Sequence, residues 1–173
     1  MRRMTLKEES LHRNFSVRVV QESDLEELSA LAHRIWKQHY TPIIGSAQVE
    51  YMLGLWYGAE FLGKQMRDAT RQFLLVEQAE QLKAYIQSSE QNGACFIHKL
   101  YVAPECQGQG MGKALLGALP THLPLQLRVN RHNDKSIAFY KRYGFTVIGE
   151  DVLDIGDGYT MDDYIMKKSI LAS

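Results

Sequence analysis

The sequence predicts an α/β protein with one mixed, mostly antiparallel sheet of about seven strands, flanked by about four helices. A glycine-rich loop joins a predicted strand to a predicted helix within residues 100–119, which is typical of a crossover between parallel strands. Alternating apolar segments joined by turn residues occupy 71–88 and 145–168, as in antiparallel hairpins. Helical periodicity dominates residues 23–67.

The first part of the chain is predicted to be mainly helical. Ser23 and Glu26 have the spacing of a capping box, and apolar residues then recur at helical intervals. This helix should end near Tyr40, because Pro42 disfavours helical geometry in the residue before it. We expect a loose tail at 1–14, a single domain at 15–173, a strand at 15–20, and helices at 23–40, 47–55 and 59–67.

The rest of the chain is predicted to form most of the sheet. The strand at 125–129 should run parallel to the strand at 94–102, because a helix crossover joins them. Gly144 should end the last helix in a left-handed conformation. Strands are expected at 71–77, 82–88, 94–102, 125–129, 145–153 and 159–168, and helices at 110–119 and 135–143.

The composition excludes several classes of function. Lys+Arg and Asp+Glu number 20 each, so the net charge is zero and a global basic field for nucleic acid is absent. No apolar run reaches the roughly 20 residues of a membrane span. Cys95 and Cys106 have neither metal-ligand spacing nor a disulfide framework. We therefore expect a cytoplasmic monomer or homodimer that binds no metal, nucleic acid or membrane.

The glycine loop predicts a phosphate site. Gly108, Gly110 and Gly112 occupy alternate positions directly before a helix, and glycine permits both positive φ and close approach of a ligand. The N–H groups of the loop and the first helical turn then converge, and the helix dipole adds positive potential. Because Ala114 follows Lys113, the hydroxyl of a nucleotide-binding P-loop is missing. The expected ligand group is therefore another phosphate or pyrophosphate.

Two motifs resemble those of the GCN5-related N-acetyltransferase (GNAT) family. Gln107, Gly110 and Gly112 match its Q/R-x-x-G-x-G/A signature, the loop that holds the pyrophosphate of acetyl-CoA in that family. The segment 130–145 resembles the later family motif, in which an Asn precedes a short helix that ends in Tyr-x-x-x-Gly-Phe. The segment 154–168 is similar to the branch that acetylates polyamines and other small molecules.

The resemblance covers roughly residues 15–168 and implies both donor and reaction. In the family, two central parallel strands splay apart near the glycine loop, and the pantetheine arm of acetyl-CoA enters the gap. The implied reaction moves an acetyl group from acetyl-CoA directly to a primary amine of a small molecule, with a polyamine-like cation among the candidates. The alternatives are a protein N-terminal or lysine acetyltransferase and a non-catalytic acetyl-CoA sensor. The implied acetyl-CoA contacts are Leu100, Tyr101, Val102, Gln107, Gly108, Gln109, Gly110, Met111, Gly112, Lys113, Asn133, Ser136 and Tyr140.

Tyr140 and His98 are the candidate catalytic residues. Tyr140 matches the motif position of the general acid that protonates the leaving thiolate. A backbone N–H of Leu100 or Tyr101 is the implied oxyanion donor. The strand before the glycine loop has no carboxylate, so His98 is the candidate base, with a water-relayed proton path as the alternative. Strand alternation puts His98 on the side of Leu100 and Val102, unless a bulge intervenes.

The acceptor contacts are expected among early aromatic residues and late acidic residues. Trp36 and Tyr40 lie in the helical region that forms one wall of the acceptor site in the family, although either could serve only as core. Asp162 is the candidate acidic contact. An acidic rim would favour a cationic amine, whereas the alternative is an ordinary solvated hairpin. The acidic residues of this region are Glu150, Asp151, Asp154, Asp157, Asp162 and Asp163.

Overall fold

The computed structural model describes residues 14–170, so the predicted tail lies outside the described residues except for Asn14. The first elements are β1 (Ser16–Val19), α1 (Leu25–His39), α2 (Thr41–Ile44), α3 (Ser46–Trp56), α4 (Ala59–Met66) and β2 (Arg71–Gln78). They are followed by β3 (Gln81–Gln91), β4 (Ala94–Val102), α5 (Met111–Gly117), β5 (Leu125–Asn130), α6 (Asp134–Arg142), β6 (Thr146–Gly156) and β7 (Tyr159–Lys168). In the described part of the chain, every helix is too short or too polar to cross a membrane.

The strands form one seven-stranded sheet in the order β1-β2-β3-β4-β5-β7-β6. All neighbouring strands are antiparallel except β4 and β5, which are joined by α5 and run parallel as predicted. The β2–β3 turn places Ala79 and Glu80 at φ values of 51° and 60°, the handedness that suits a tight hairpin. The predicted α/β class with a mixed, mostly antiparallel sheet is therefore confirmed.

The start of the helical region differs from the prediction. A 3₁₀ turn precedes α1, and Oδ2 of Asp24 accepts a hydrogen bond from the N–H of Gln21 at 2.7 Å. The same carboxylate forms an ion pair with Arg18 at 2.7 Å, so the predicted capping box at Ser23 is wrong because Asp24 fixes this turn instead. The prediction also missed the short helix α2. Pro42 is tolerated in its first turn, because the N–H groups of a first turn have no hydrogen-bond partner within the helix.

Helices cover both faces of the sheet, and β4 separates the two layers. On one face, the hydroxyl groups of Tyr57 and Tyr101 are 2.8 Å apart, and the Trp36 ring of α1 lies 6.4 Å from the Tyr101 ring. On the other face, a Cβ on Gly112 of α5 would lie 3.7 Å from Val102. Tyr101 and Val102 are neighbours in β4 and therefore point to opposite faces.

An extra residue interrupts β4 at the point where it leaves β5. In the described part of the chain, β4 pairs with β5 only from Cys95 to Ile97. Against β3, Ile97 pairs with Ser88, whereas Lys99 pairs with Gln87. His98 is therefore the additional residue of a β-bulge, which bends a strand and increases its twist. The two parallel strands separate beyond this bulge, as the splayed pair of the predicted fold requires.

Candidate active site

The loop between β4 and α5 needs its glycines for two reasons. Gly108 and Gly110 have φ values of 79° and 85°, a left-handed conformation that glycine adopts without strain. Gly112 is helical, but an added Cβ would lie 2.9 Å from Cζ of Phe139 on α6. The loop therefore presents backbone rather than side chains to a ligand, and α5 and α6 approach each other closely.

A cavity of about 500 Å³ lies beside this loop and is lined by β4, α5 and α6. The basic residues Lys113, Lys135 and Arg142 line it, and they supply the positive charge that phosphate groups require. Lys135 and Arg142 were not predicted, although their separation of two turns on α6 indicates one helical face. Of the predicted acetyl-CoA contacts, the cavity is lined by Leu100, Tyr101, Val102, Gln107, Gly108, Gly110, Met111, Gly112, Lys113, Ser136 and Tyr140.

Asn133 and Gln109 have other partners and do not line this cavity. Asn133 is 1% exposed and caps α6, because its Oδ1 accepts a hydrogen bond from the N–H of Ser136 at 3.2 Å. The same oxygen lies 3.0 Å from Nε2 of His39. Gln109 donates to the carbonyl of Glu105 at 3.2 Å. The role of Asn133 as a helix cap is therefore visible, whereas contact of either residue with acetyl-CoA stays a prediction.

A second cavity of about 350 Å³ meets the first where β4 and β5 separate. Both Trp36 and Tyr40, the predicted acceptor contacts, line it, and their rings stack with centroids 4.3 Å apart. Two cavities with a common opening can hold two substrates whose reacting atoms approach each other there. The residues that line both cavities are Tyr40, Leu100, Tyr101, Ser136 and Tyr140.

Tyr140 lies at this junction. Its ring is 8% exposed and packs against Phe139 and Phe145, with centroid distances of 5.3 and 5.4 Å. Its hydroxyl forms no hydrogen bond with the described residues. Burial raises the pKa of Tyr140 above its ordinary value of 10. The hydroxyl therefore keeps its proton at neutral pH and can donate it to a group in the junction.

Contacts between α3 and the β6–β7 hairpin close one side of the second cavity. Nε2 of Gln48 donates to the carbonyl of Thr160 at 2.7 Å, and the hydroxyl of Tyr51 donates to the carbonyl of Ile155 at 2.8 Å. The rings of Tyr51 and Tyr159 also pack, with centroids 5.1 Å apart. These contacts hold α3 against the hairpin beside the second cavity.

The carboxylate in the second cavity belongs to Asp163 and not to the predicted Asp162. Neighbouring residues of β7 point to opposite faces, and Oδ1 of Asp162 lies 2.8 Å from Nε of Arg131, away from the cavity lining. Asp163 lines the cavity, is 4% exposed, and forms no hydrogen bond or ion pair with the described residues. Burial raises its pKa from 3.8 to about 6. The sequence shows two adjacent acids, and only the register of β7 distinguishes them.

Other acidic residues of the hairpin are neutralised by arginines of β5 and of the segment that follows it. Arg128 forms an ion pair with Asp151 at 2.6 Å, and Arg131 forms one with Glu150 at 2.9 Å. These pairs are partly exposed, so each stabilises the fold only slightly. They nevertheless remove much of the free negative charge that the predicted acidic rim would need.

His98 lines the second cavity but is poorly suited to act as a base. The bulge puts it on the face of Tyr101, so the exception to strand alternation that the sequence left open applies here. Its Nε2 lies 2.7 Å from Oγ of Ser89. Burial lowers its pKa to about 4, so the ring is neutral at physiological pH but only weakly basic. A catalytic role for His98 stays a prediction.

The glycine loop with its neighbouring cations, the splayed strand pair and the second cavity define the class of transferases that use acetyl-CoA. A family model described as an acetyltransferase (GNAT) domain matches residues 29–166, and the chain belongs to the GNAT family. The crystal structure of the PaiA N-acetyltransferase from Thermoplasma acidophilum in complex with coenzyme A has a TM-score of 0.76 and 26% identity, covering 89% of this chain and 98% of that one.

Two curated relatives are N-acetyltransferases with different named acceptors. The chain is 35% identical over 107 residues to the 5-NmdU N-acetyltransferase of Pseudomonas phage PaMx11, covering 51% of this chain and 76% of that protein. It is 39% identical over 64 residues to the peptidyl-lysine N-acetyltransferase YjaB of Salmonella typhimurium, covering 36% of this chain and 44% of that protein. The protein is therefore an acetyl-CoA-dependent N-acetyltransferase, and a place in the polyamine branch is not confirmed.

Proposed function

We propose that the acceptor is a primary amine of a small molecule, bound in the second cavity with its ammonium group beside Asp163. The proposal is carried by one observation: the cavity of about 350 Å³ that meets the donor cavity at Tyr140 contains a buried carboxylate without a partner among the described residues. Buried charges in proteins are normally paired. An ammonium group would supply the charge that Asp163 lacks.

The transfer forms a bond between the amine nitrogen and the acetyl carbon, and it breaks the C–S bond of the thioester. Asp163 accepts the proton of the ammonium group, directly or through a water, because its pKa of about 6 leaves it ionised yet more basic than an exposed aspartate. Tyr140 gives its proton to the departing sulfur, and the second proton that the nitrogen loses as the amide forms restores the Tyr140 hydroxyl. Backbone N–H groups near Leu100 stabilise the negative charge that develops on the carbonyl oxygen.

A protein lysine is the second candidate acceptor, because part of the chain resembles a peptidyl-lysine N-acetyltransferase. The contacts of Gln48 and Tyr51 with the β6–β7 hairpin argue against it, since they hold α3 against the hairpin and leave less room beside the cavity for an extended peptide. A polyamine-like cation has less support than other small amines, because the acidic residues near the cavity are largely paired with arginines.

The test is turnover of acetyl-CoA with a panel of acceptors, measured as release of free CoA and confirmed by the mass of the product. The panel contains alkylamines, polyamines, amino acids, aminoglycosides and lysine-containing peptides. We expect at least one class of small amine to have a kcat/KM about tenfold or more above that of any peptide. Efficient acetylation of peptides alone would refute the proposal.

A further inference from the structure

The second cavity contains a buried lysine without an anionic partner. Lys99 is 7% exposed, and its Nζ donates to Oε1 of Gln65 and Oε1 of Gln87, each at 3.1 Å. The ammonium also lies 4.8 Å from the centroid of the Tyr57 ring. No carboxylate forms an ion pair with Lys99 among the described residues. Two amide oxygens and an aromatic face hold the cation in place, but they do not neutralise it.

Positive potential extends from Lys99 along this wall of the cavity. Arg71 also lines the cavity, and its charge helps to lower the pKa of Lys99 to about 7, although burial is the larger cause. Within the described residues, Arg71 forms one ion pair, between its Nε and Oδ2 of Asp68. The distance of 3.4 Å is long for such a contact. An anion bound at this wall would keep Lys99 protonated, whereas a second cation would favour its neutral form, so the wall favours an anion.

Asp163 stands on the opposite side of the same cavity. β5 lies between β4, which carries Lys99, and β7, which carries Asp163, and β4 has already separated from β5 at Lys99. The two backbones are therefore at least the roughly 10 Å of two strand spacings apart. Within the described part of the chain, the two side chains form no ion pair with each other. The charged groups that shift the pKa of Asp163 are Arg128, Asp151 and Asp162, and Lys99 is not among them. The cavity thus has a negative side and a positive side that do not neutralise each other.

We propose that the acceptor carries an anionic group, a carboxylate or a phosphate, in addition to its primary amine, with Lys99 and Arg71 binding the anion while Asp163 binds the amine. This inference depends on the proposed small-molecule acceptor and narrows its chemical class to amino acids and amine-bearing phosphates. A polyamine would instead bring a cation against Lys99, and a simple alkylamine would leave Lys99 without a counter-charge.

The experiment compares acceptors that differ only in the anionic group. γ-Aminobutyrate is paired with n-butylamine and putrescine, and phosphoethanolamine is paired with ethanolamine, so that the two arms separate carboxylate from phosphate. Each acceptor is assayed with the wild-type enzyme and with the Lys99→Met and Arg71→Gln variants. Lys64→Met is the matched control, because Lys64 lies on the exposed face of α4 in an ion pair with Glu60.

We expect the wild type to prefer one of the anionic acceptors, and Lys99→Met to lower kcat/KM for it about 10- to 100-fold, as for the loss of a charged hydrogen bond. Arg71→Gln should act in the same direction, whereas the neutral partner should change less than about threefold in both variants. Lys64→Met should affect neither. This inference would be overturned, with the proposed function intact, if the wild type had equal kcat/KM for the anionic acceptors and their neutral counterparts. Equal losses of kcat/KM for both kinds of acceptor in Lys99→Met would overturn it in the same way. Absence of turnover with every small amine would overturn the proposed function itself.

Discussion

Replacing Asp163 with asparagine should make the protein more stable and less active. The pKa of this buried carboxyl rises from 3.8 to about 6 on folding, so the folded state binds the proton more tightly than the unfolded state does. The stability of the wild type should therefore fall as the pH rises from about 4 to about 6 and then stay constant. The difference of about 2 in pKa corresponds to about 3 kcal/mol at neutral pH.

Asp163→Asn removes this ionisation, but its amide is also buried without a partner, so we expect a net gain of about 1–3 kcal/mol at neutral pH. Urea unfolding of both proteins across this pH range measures the effect. The gain should be near zero at about pH 4 and should grow up to about pH 6. The acceptor KM should rise about tenfold or more, whereas the KM for acetyl-CoA should change little.

Asp162→Asn is the matched control for this experiment, because Asp162 lies next to Asp163 but forms an ion pair with Arg131. Its replacement should give no gain in stability at neutral pH. The reasoning would be refuted by an Asp163→Asn variant whose stability relative to the wild type is independent of pH. A variant that is less stable than the wild type at neutral pH would refute it equally.

Three further predictions concern the junction and the walls of the two cavities. Tyr140→Phe should lower kcat by about 10²–10⁴-fold with acetyl-CoA affinity nearly unchanged; near-normal kcat at every pH would remove its role as acid. Gly112→Ala should reduce stability by about 1–3 kcal/mol in thermal or urea unfolding and weaken coenzyme A binding in calorimetry, because its Cβ would lie 2.9 Å from Phe139. Its matched control is Gly117→Ala in the same helix, which should be neutral or slightly stabilising, because an added Cβ there would meet no other part of the described fold within 4 Å. His98→Gln should change kcat less than about tenfold, and a larger loss that follows a titration near pH 4 would restore His98 as the base.

Periodicity and turn residues were sufficient to predict most of the fold. The boundaries of β4 and β7 were predicted as the structure has them, because each segment is flanked by turn residues that end a strand. The bulge at His98 was not predicted. An extra residue has no local signature, since it is defined only by how β4 pairs with β3.

The sequence indicated some parts of the candidate site but not others. The glycine loop and Tyr140 have fixed spacing within motifs, so the sequence alone indicated them. The environment of Lys99 could not be predicted, because Gln65 and Gln87 reach it from other elements of the chain. The sequence alone could not show that Asp163 rather than Asp162 lines the second cavity, because adjacent strand residues differ in face and the face is fixed by pairing with β5 and β6.

The opening between the two cavities originates in a difference of length between two neighbouring strand segments. His98 of β4 has no pairing partner on β3, and the ladder between β4 and β5 ends at Ile97, just before it. We expect a strand one residue shorter to continue the ladder to β5, which circular dichroism and loss of coenzyme A binding in a His98 deletion would report. The bulge therefore requires a residue at position 98, but it depends much less on which side chain that residue has. Substitution there keeps the backbone length and with it the bulge, whereas deletion of His98 would remove the bulge itself.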